Sequence, residues 1–212
     1  MIVAIDGPAG AGKSTVARRL AERLGFRYLD TGAMYRAVTW LALARELDLE
    51  DTDELVALAR ANPVAFRDAD GVYIGGHDVT RRIREPRIDR AVPVVARQQP
   101  VRQVMRERQR ELGEEGDVVI EGRDIGKVVA PRAEVKVYLV ADPEERTRRR
   151  LAERPGLGAD ALATDLQMRD ASDAPQMEPA ADAHRIDTTA LSVDEVVERI
   201  EELVRRASAR VV

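Results

Sequence analysis

Residues 7–15 read Gly-Pro-Ala-Gly-Ala-Gly-Lys-Ser-Thr, directly after the apolar run Ile2-Val3-Ala4-Ile5 and directly before an apolar, helix-patterned stretch. G-x-x-x-x-G-K-[ST] between a strand and a helix is the context that a phosphate-binding loop needs. Glycine lets the backbone turn tightly enough for its N–H groups to point inward at phosphate oxygens. The helix that follows adds the positive end of its dipole. Gly7, Pro8, Ala9, Gly10, Ala11, Gly12, Lys13, Ser14 and Thr15 are therefore expected to hold a nucleoside triphosphate. Lys13 is expected to reach the β- and γ-phosphates, and the Ser14 hydroxyl is the expected ligand of Mg²⁺. The plain alternative is a Gly-rich turn that caps a helix.

The rest of the chain alternates strand and helix patterns, which implies a parallel sheet covered by helices. The spacing predicts a helix from Lys13 to Leu24, stopped at Gly25, then a strand over Phe26–Leu29. Asp30-Thr31 can cap a helix through Trp40 to Arg45, and Thr52 opens another. Val64–Arg67 and Val72–Ile74 read as short strands around the hairpin signal Asp70-Gly71. Pro86, Pro93 and Pro100 punctuate the next helical segments, the last of them ending near Leu112. Val118–Ile120 is a buried strand, Val135–Val140 the next, and Pro143–Glu153 a strongly basic helix. Pro155-Gly156-Leu157-Gly158 reads as a loop, followed by a helix to Met168 and a short last strand, Ala183–Asp187. Ser192-Val193-Asp194-Glu195 is a capping box that starts a final amphipathic helix.

Composition narrows the function class. The 212 residues allow one domain, or a core with a small insertion. With no cysteine, the chain has no disulfide, no Cys-ligated zinc and no thiol chemistry. A net charge of −4 argues against general nucleic-acid binding. No apolar run approaches the ~20 residues of a membrane span. Met1 leads straight into the first strand, so no signal peptide is expected and a cytoplasmic location follows by default. Lysine occurs only at Lys13, Lys127 and Lys136, so 31 of the 34 basic residues are arginine.

A phosphate-binding loop names the donor and leaves the acceptor open. Three segments bear on it. Leu29-Asp30-Thr31-Gly32-Ala33-Met34-Tyr35-Arg36 follows the second strand, where ligands of an open α/β sheet gather. Thr31 and Arg36 there suit a second, phosphorylated ligand; as plain structure they are a cap and a surface residue. Glu121-Gly122-Arg123-Asp124 ends a central strand, with a guanidinium fork for phosphate and a carboxylate that can accept from an exocyclic amine. A self-satisfied Arg–Asp turn is the alternative. Arg146, Arg148, Arg149 and Arg150 precede the Pro-Gly loop and can close over a transferring phosphoryl group, or form a solvated face.

These segments resemble the bacterial cytidylate kinases, of the nucleoside monophosphate kinase fold. GPAGAGKST, LDTGAMYR, the pattern Gly76-His77-Asp78-Val79-Thr80…Ile83-Arg84, EGRDIG, EERTRRR and the late MRD…D occur in that family's order, from about Ile2 to Leu203. The resemblance implies a three-layer α/β P-loop kinase fold with a central, mainly parallel five-stranded sheet. It implies a core of 1–62 and 101–212, an acceptor-binding insertion over about 63–100 with short β-strands, and a lid over about 149–160. The implied reaction moves the γ-phosphoryl of ATP to CMP or dCMP with Mg²⁺, in a monomer. Thr31 would meet the base, Tyr35 would pack nearby, Arg36 would hold the acceptor phosphate, and Arg102 would be a base-side contact. Arg123 would bind the acceptor phosphate and Asp124 the cytosine amino group. Arg169 and Asp173 would reach phosphate and sugar, and Arg149 and Arg150 would lie near the transferred phosphoryl.

The chain departs from that pattern at three places. Pro93 stands where the family usually has a serine, Gln176 where a late arginine often stands, and Glu121 replaces a more usual aspartate. The first two bear on acceptor preference. UMP, AMP, shikimate or a coenzyme precursor are the other acceptors such a fold serves. A GTP-dependent switch expects an Asn-Lys-x-Asp motif, and the single asparagine, Asn62, precedes Pro63. A nucleotide-sensing module without turnover is the third class.

Overall fold

The computed structural model describes residues 1–67, 71–153, 156 and 158–209. Asp70 of the expected hairpin turn, and Pro155 and Leu157 of the expected loop, lie outside the described residues. The chain forms two compact units, residues 1–28 with 116–212, and residues 29–115.

The first unit carries a five-stranded sheet of order β2-β6-β1-β7-β8. Its strands are β1 (Ile2–Asp6), β2 (Arg27–Asp30, where the chain passes into the second unit), β6 (Val118–Glu121), β7 (Val135–Val140) and β8 (His184–Asp187). β1 pairs in parallel with β6 and β7, and β7 with β8. Apolar runs such as Val118-Val119-Ile120 are buried throughout, as strands covered on both faces must be. Helices α1 (Lys13–Leu24) and α8 (Val193–Ser208) pack on the sheet through Val16, Leu20, Val197 and Ile200, each fully or almost fully buried. Each such side chain contributes roughly 1.5–3 kcal/mol. Gly25 ends α1 in the left-handed region, and Ser192 and Glu195 form the expected capping box.

α6 (Pro143–Glu153) and α7 (Ala159–Asp173) complete this unit. α7 corrects the sequence reading: it continues past Met168 to Asp173, so Arg169, Asp170 and Asp173 are helical. Tertiary ion pairs made by Asp170 and Asp173 favour that extra turn over the local capping tendency of Asp-Ala-Ser-Asp.

The second unit holds α2 (Thr31–Ala44), α3 (Thr52–Ala61), α4 (Pro86–Ala96) and α5 (Gln99–Glu114), with a small antiparallel sheet of β3 (Ala65–Arg67), β4 (Gly71–Ile74) and β5 (His77–Asp78). Asp30 and Asp51 cap α2 and α3 by accepting from Ala33 and Glu54 backbone N–H groups. β5 was not legible in the sequence: Gly75 and Gly76, both at positive φ, turn the chain back to form it. Pro93 also differs from expectation, lying inside α4 instead of ending a segment. Interior proline costs roughly 3 kcal/mol, and fully buried Ile88 and Val95 on either side hold the helix through it.

Candidate active site

The nucleotide loop leaves β1, the central strand, and three of its glycines have positive φ: Gly7 at 144°, Gly10 at 78° and Gly12 at 88°. Two of these are also close approaches. A Cβ on Gly7 would lie 2.2 Å from the Leu139 carbonyl oxygen, and one on Gly10 3.0 Å from Cβ of Arg146. The loop is thus pressed between β7 and α6: Gly7 has no room for a side chain, and one at Gly10 would crowd Arg146.

Lys13 opens α1 and is buried, its Nζ donating to the Pro8 carbonyl at 2.7 Å. Burial, then the nearby Arg123 charge, pushes its pKa down to about 7. A buried ammonium whose charge is opposed by burial and by the Arg123 and Arg150 guanidiniums is favoured by an anion beside it, and a polyphosphate is one. Ser14 and Thr15 are exposed at the head of the same helix. Among the described residues no group of three His, Cys, Asp or Glu side chains could hold a metal alone. The exposed Ser14 hydroxyl is a hard oxygen donor of the kind Mg²⁺ accepts, an ion that takes few protein ligands and fills its shell with phosphate oxygens and water.

The arginines surround this loop in different ways. Arg146, one of the four arginines of the basic helix, is buried and donates to the Ala9 carbonyl at 3.1 Å and to Asp170 of α7. Arg149 is engaged by Glu145 at 2.7 Å and by the Thr188 hydroxyl and carbonyl at 3.0 and 2.7 Å. Its guanidinium lies 3.4 Å from where a Gly12 Cβ would sit, so it lies against the loop, held by a threonine that sequence reasoning missed. Thr188 itself donates to the Ala11 carbonyl at 3.2 Å. Arg150 pairs with Glu153 at 2.8 Å, and its buried Nε has no hydrogen-bond partner among the described residues. Glu145, bridged by Arg148 and Arg149, has its carboxyl pulled down to about 2.

At the end of β6, Arg123 donates to Asp173 at 2.8 Å, so these two expected acceptor residues are brought together. Asp124 is buried beside it. Residues 125–129 form one π-helical turn, with Ala130 N–H donating to the Ile125 carbonyl; such turns recur at functional sites. Arg169, on α7, pairs with Asp165 at 3.1 Å. Asp6, at the end of β1, was also missed. It accepts from Ile125 and Gly126 N–H groups at 2.9 and 2.8 Å, and burial pushes its pKa up to about 6.

The second unit carries the other expected acceptor residues. Thr31 is buried at the start of α2. One turn on, Tyr35 lies under the Arg102 guanidinium, 5.8 Å from its ring centre. Arg36 is engaged by the Asp89 carboxylate and by the Ile83 carbonyl at 3.4 Å. Arg102 is buried and donates to the Ala96 carbonyl at 3.3 Å. Arg84 pairs with Asp30 at 2.9 Å.

A five-stranded parallel α/β sheet with a phosphate loop on its central strand, a buried loop lysine and arginines around it defines a P-loop kinase. Solved structures share the fold. A shikimate kinase from Bacteroides thetaiotaomicron superposes with a TM-score of 0.52 at 18% identity, over 97% of this chain and 98% of that one. A gluconokinase from Sinorhizobium meliloti 1021 gives 0.54 at 15%, over 98% and 93%. The cytidylate kinase family model matches residues 3–206. The cytidylate kinase of Geobacillus kaustophilus is 47% identical over 95% of each chain. Those of Enterococcus faecalis and Bacillus subtilis are each 43% identical, over 96% and 97% of this chain and 95% and 97% of theirs. This chain belongs to the cytidylate kinase family. No helix among its described residues is long and apolar enough to cross a membrane.

Proposed function

We propose that the protein transfers the γ-phosphoryl group of ATP to CMP or dCMP, giving ADP and the nucleoside diphosphate. The observation that carries this reading is Arg123-Asp124 at the end of β6, in the same unit as a phosphate loop with a buried lysine. A guanidinium beside a carboxylate reads a phosphate and an exocyclic amine, the two features that CMP combines.

The acceptor phosphate oxygen is already anionic, so no general base is needed. The obstacle is repulsion between two polyanions that must meet in line. Lys13, Arg123, Arg149 and Arg150 offset that repulsion and favour the equatorial charge of the transition state. Mg²⁺ bound through Ser14 supplies further charge neutralisation on the donor phosphates. Arg36 and Arg169 bind the acceptor phosphate, Asp173 the sugar, and Thr31, Tyr35, Arg102 and Asp124 the base. The Asp89 and Asp173 carboxylates hold Arg36 and Arg123 until phosphate takes over those guanidinium faces. Residues 63–100 act as the acceptor-binding insertion and 149–160 as a lid. In this reading the protein works as a monomer.

Diphosphate formation by the Asp124→Ala variant, with CMP and UMP compared, tests the reading. Loss of the preference for CMP supports it. A preference unchanged from the unaltered protein overturns the assignment of Asp124.

A further inference from the structure

Arg123 and Asp124 are clamped on both sides by consecutive residues of β1. Before them, the Gly122 N–H donates to the Ile5 carbonyl at 3.0 Å. After them, the Ile125 and Gly126 N–H groups each donate to a separate oxygen of the Asp6 carboxylate. Asp6 is only 5% exposed, and the next residue, Gly7, begins the nucleotide loop. Gly7 in turn is fixed against the Leu139 carbonyl. The turn is braced from below as well: a Cβ on Gly126 would meet the Lys136 stem at 3.3 Å. Lys136 is itself tied to the Pro131 carbonyl at 2.6 Å and to Asp182 at 2.7 Å.

We propose that Asp6 is a positioning residue for acceptor recognition: its carboxylate fixes the backbone after Asp124, and so aims the Arg123 and Asp124 side chains from the strand that carries the nucleotide loop. Two backbone N–H groups on one buried carboxylate leave the turn one arrangement, whereas an unclamped turn samples several. Titratable groups facing Asp6 include Asp124, which disfavours its charge, Lys13, which favours it, and Tyr138. A buried carboxylate beside another carboxylate is costly, and the two N–H bonds offset that cost. This inference rests on the reading that Asp124 contacts the cytosine amino group.

The test is Asp6→Asn in the full chain, with Asp6→Ala and Asp124→Ala in parallel. An asparagine keeps the shape but turns an NH₂ toward one of the two N–H donors. The expected result is about tenfold lower kcat/KM for CMP, an eroded CMP-over-UMP preference, and a KM for ATP changed less than about threefold. A merely structural role would lower the melting temperature and leave the base preference intact. Unchanged preference in a folded Asp6→Asn variant, or a loss confined to the KM for ATP, overturns the inference. If Asp124→Ala keeps the preference, the underlying base contact fails and this inference falls with it. If Asp124→Ala loses it and Asp6→Asn does not, the positioning role alone fails. Should neither Asp6 variant fold, amide exchange in the unaltered protein decides. Ile125 and Gly126 protected equally with and without CMP support the clamp; fast exchange at both without CMP overturns it.

Discussion

Arg123 and Asp173, 50 residues apart in the chain, are joined by a hydrogen-bonded ion pair of 2.8 Å from the end of β6 to the last turn of α7. Both side chains are about 30% exposed, so the pair contributes at most about 1 kcal/mol to stability. Asp173→Asn is therefore expected to shift the melting temperature by less than about 4 °C while raising the KM for CMP. Arg123→Lys, which loses the planar fork, is expected to lower kcat/KM for CMP roughly 100-fold. Melting curves and steady-state kinetics on the two variants check this.

Lys13 has its pKa pushed down to about 7 in the folded protein, while in the unfolded chain it titrates near 10.4. Between those values the unfolded state binds the extra proton, so stability of the nucleotide-free protein is expected to rise with pH from about 7 to 10. Asp6 has the opposite slope at lower pH. Its folded pKa of about 6 lies above the ordinary carboxylate value, so stability from this group falls as pH rises from roughly 4 to 6. Bound triphosphate should return the Lys13 proton. Calorimetry of ATP binding at pH 8 in buffers of different ionisation enthalpy should report proton uptake, and Lys13→Met should abolish it.

Glycines of the nucleotide loop and the helix end separate two costs. Gly7→Ala drives a Cβ into the Leu139 carbonyl at 2.2 Å at a φ of 144°. A loss of more than about 3 kcal/mol, or no folding, is expected. Gly25 has a φ of 68° but open space around it. Gly25→Ala is expected to cost only about 1 kcal/mol, with unchanged kinetics. Urea denaturation of both variants measures the difference.

Ser192→Ala removes a capping box whose hydroxyl accepts from the Glu195 N–H at 3.3 Å. A stability loss of about 1 kcal/mol is expected, with kcat and both KM values unaltered.

Much of the frame was legible because it is local. Lys13 and Ser14 belong to one contiguous motif, and Arg123-Asp124 follows a run apolar enough to mark a central strand. Gly25 and the Ser192–Glu195 box announce helix ends by their own chemistry. The pairings that the sequence does not show join residues far apart in the chain. Asp6 meets Ile125 119 residues on, Arg146 reaches Ala9 137 residues back, and Thr188 reaches Ala11 177 residues back. No local pattern encodes such pairs, though a carboxylate at the end of an apolar strand, just before a phosphate loop, was a signal for Asp6. α7 was read short for the same reason. Asp-Ala-Ser-Asp looks like a helix end until Asp170 and Asp173 are seen facing Arg146 and Arg123.

The most direct test of the central claim is initial-rate diphosphate formation from Mg·ATP with CMP, dCMP, UMP and AMP in parallel, by the unaltered protein and by Lys13→Ala. The account predicts turnover with CMP and dCMP well above UMP and AMP, lost in the Lys13 variant. Equal or faster turnover with UMP or AMP, or none with any monophosphate despite ATP binding, would contradict it.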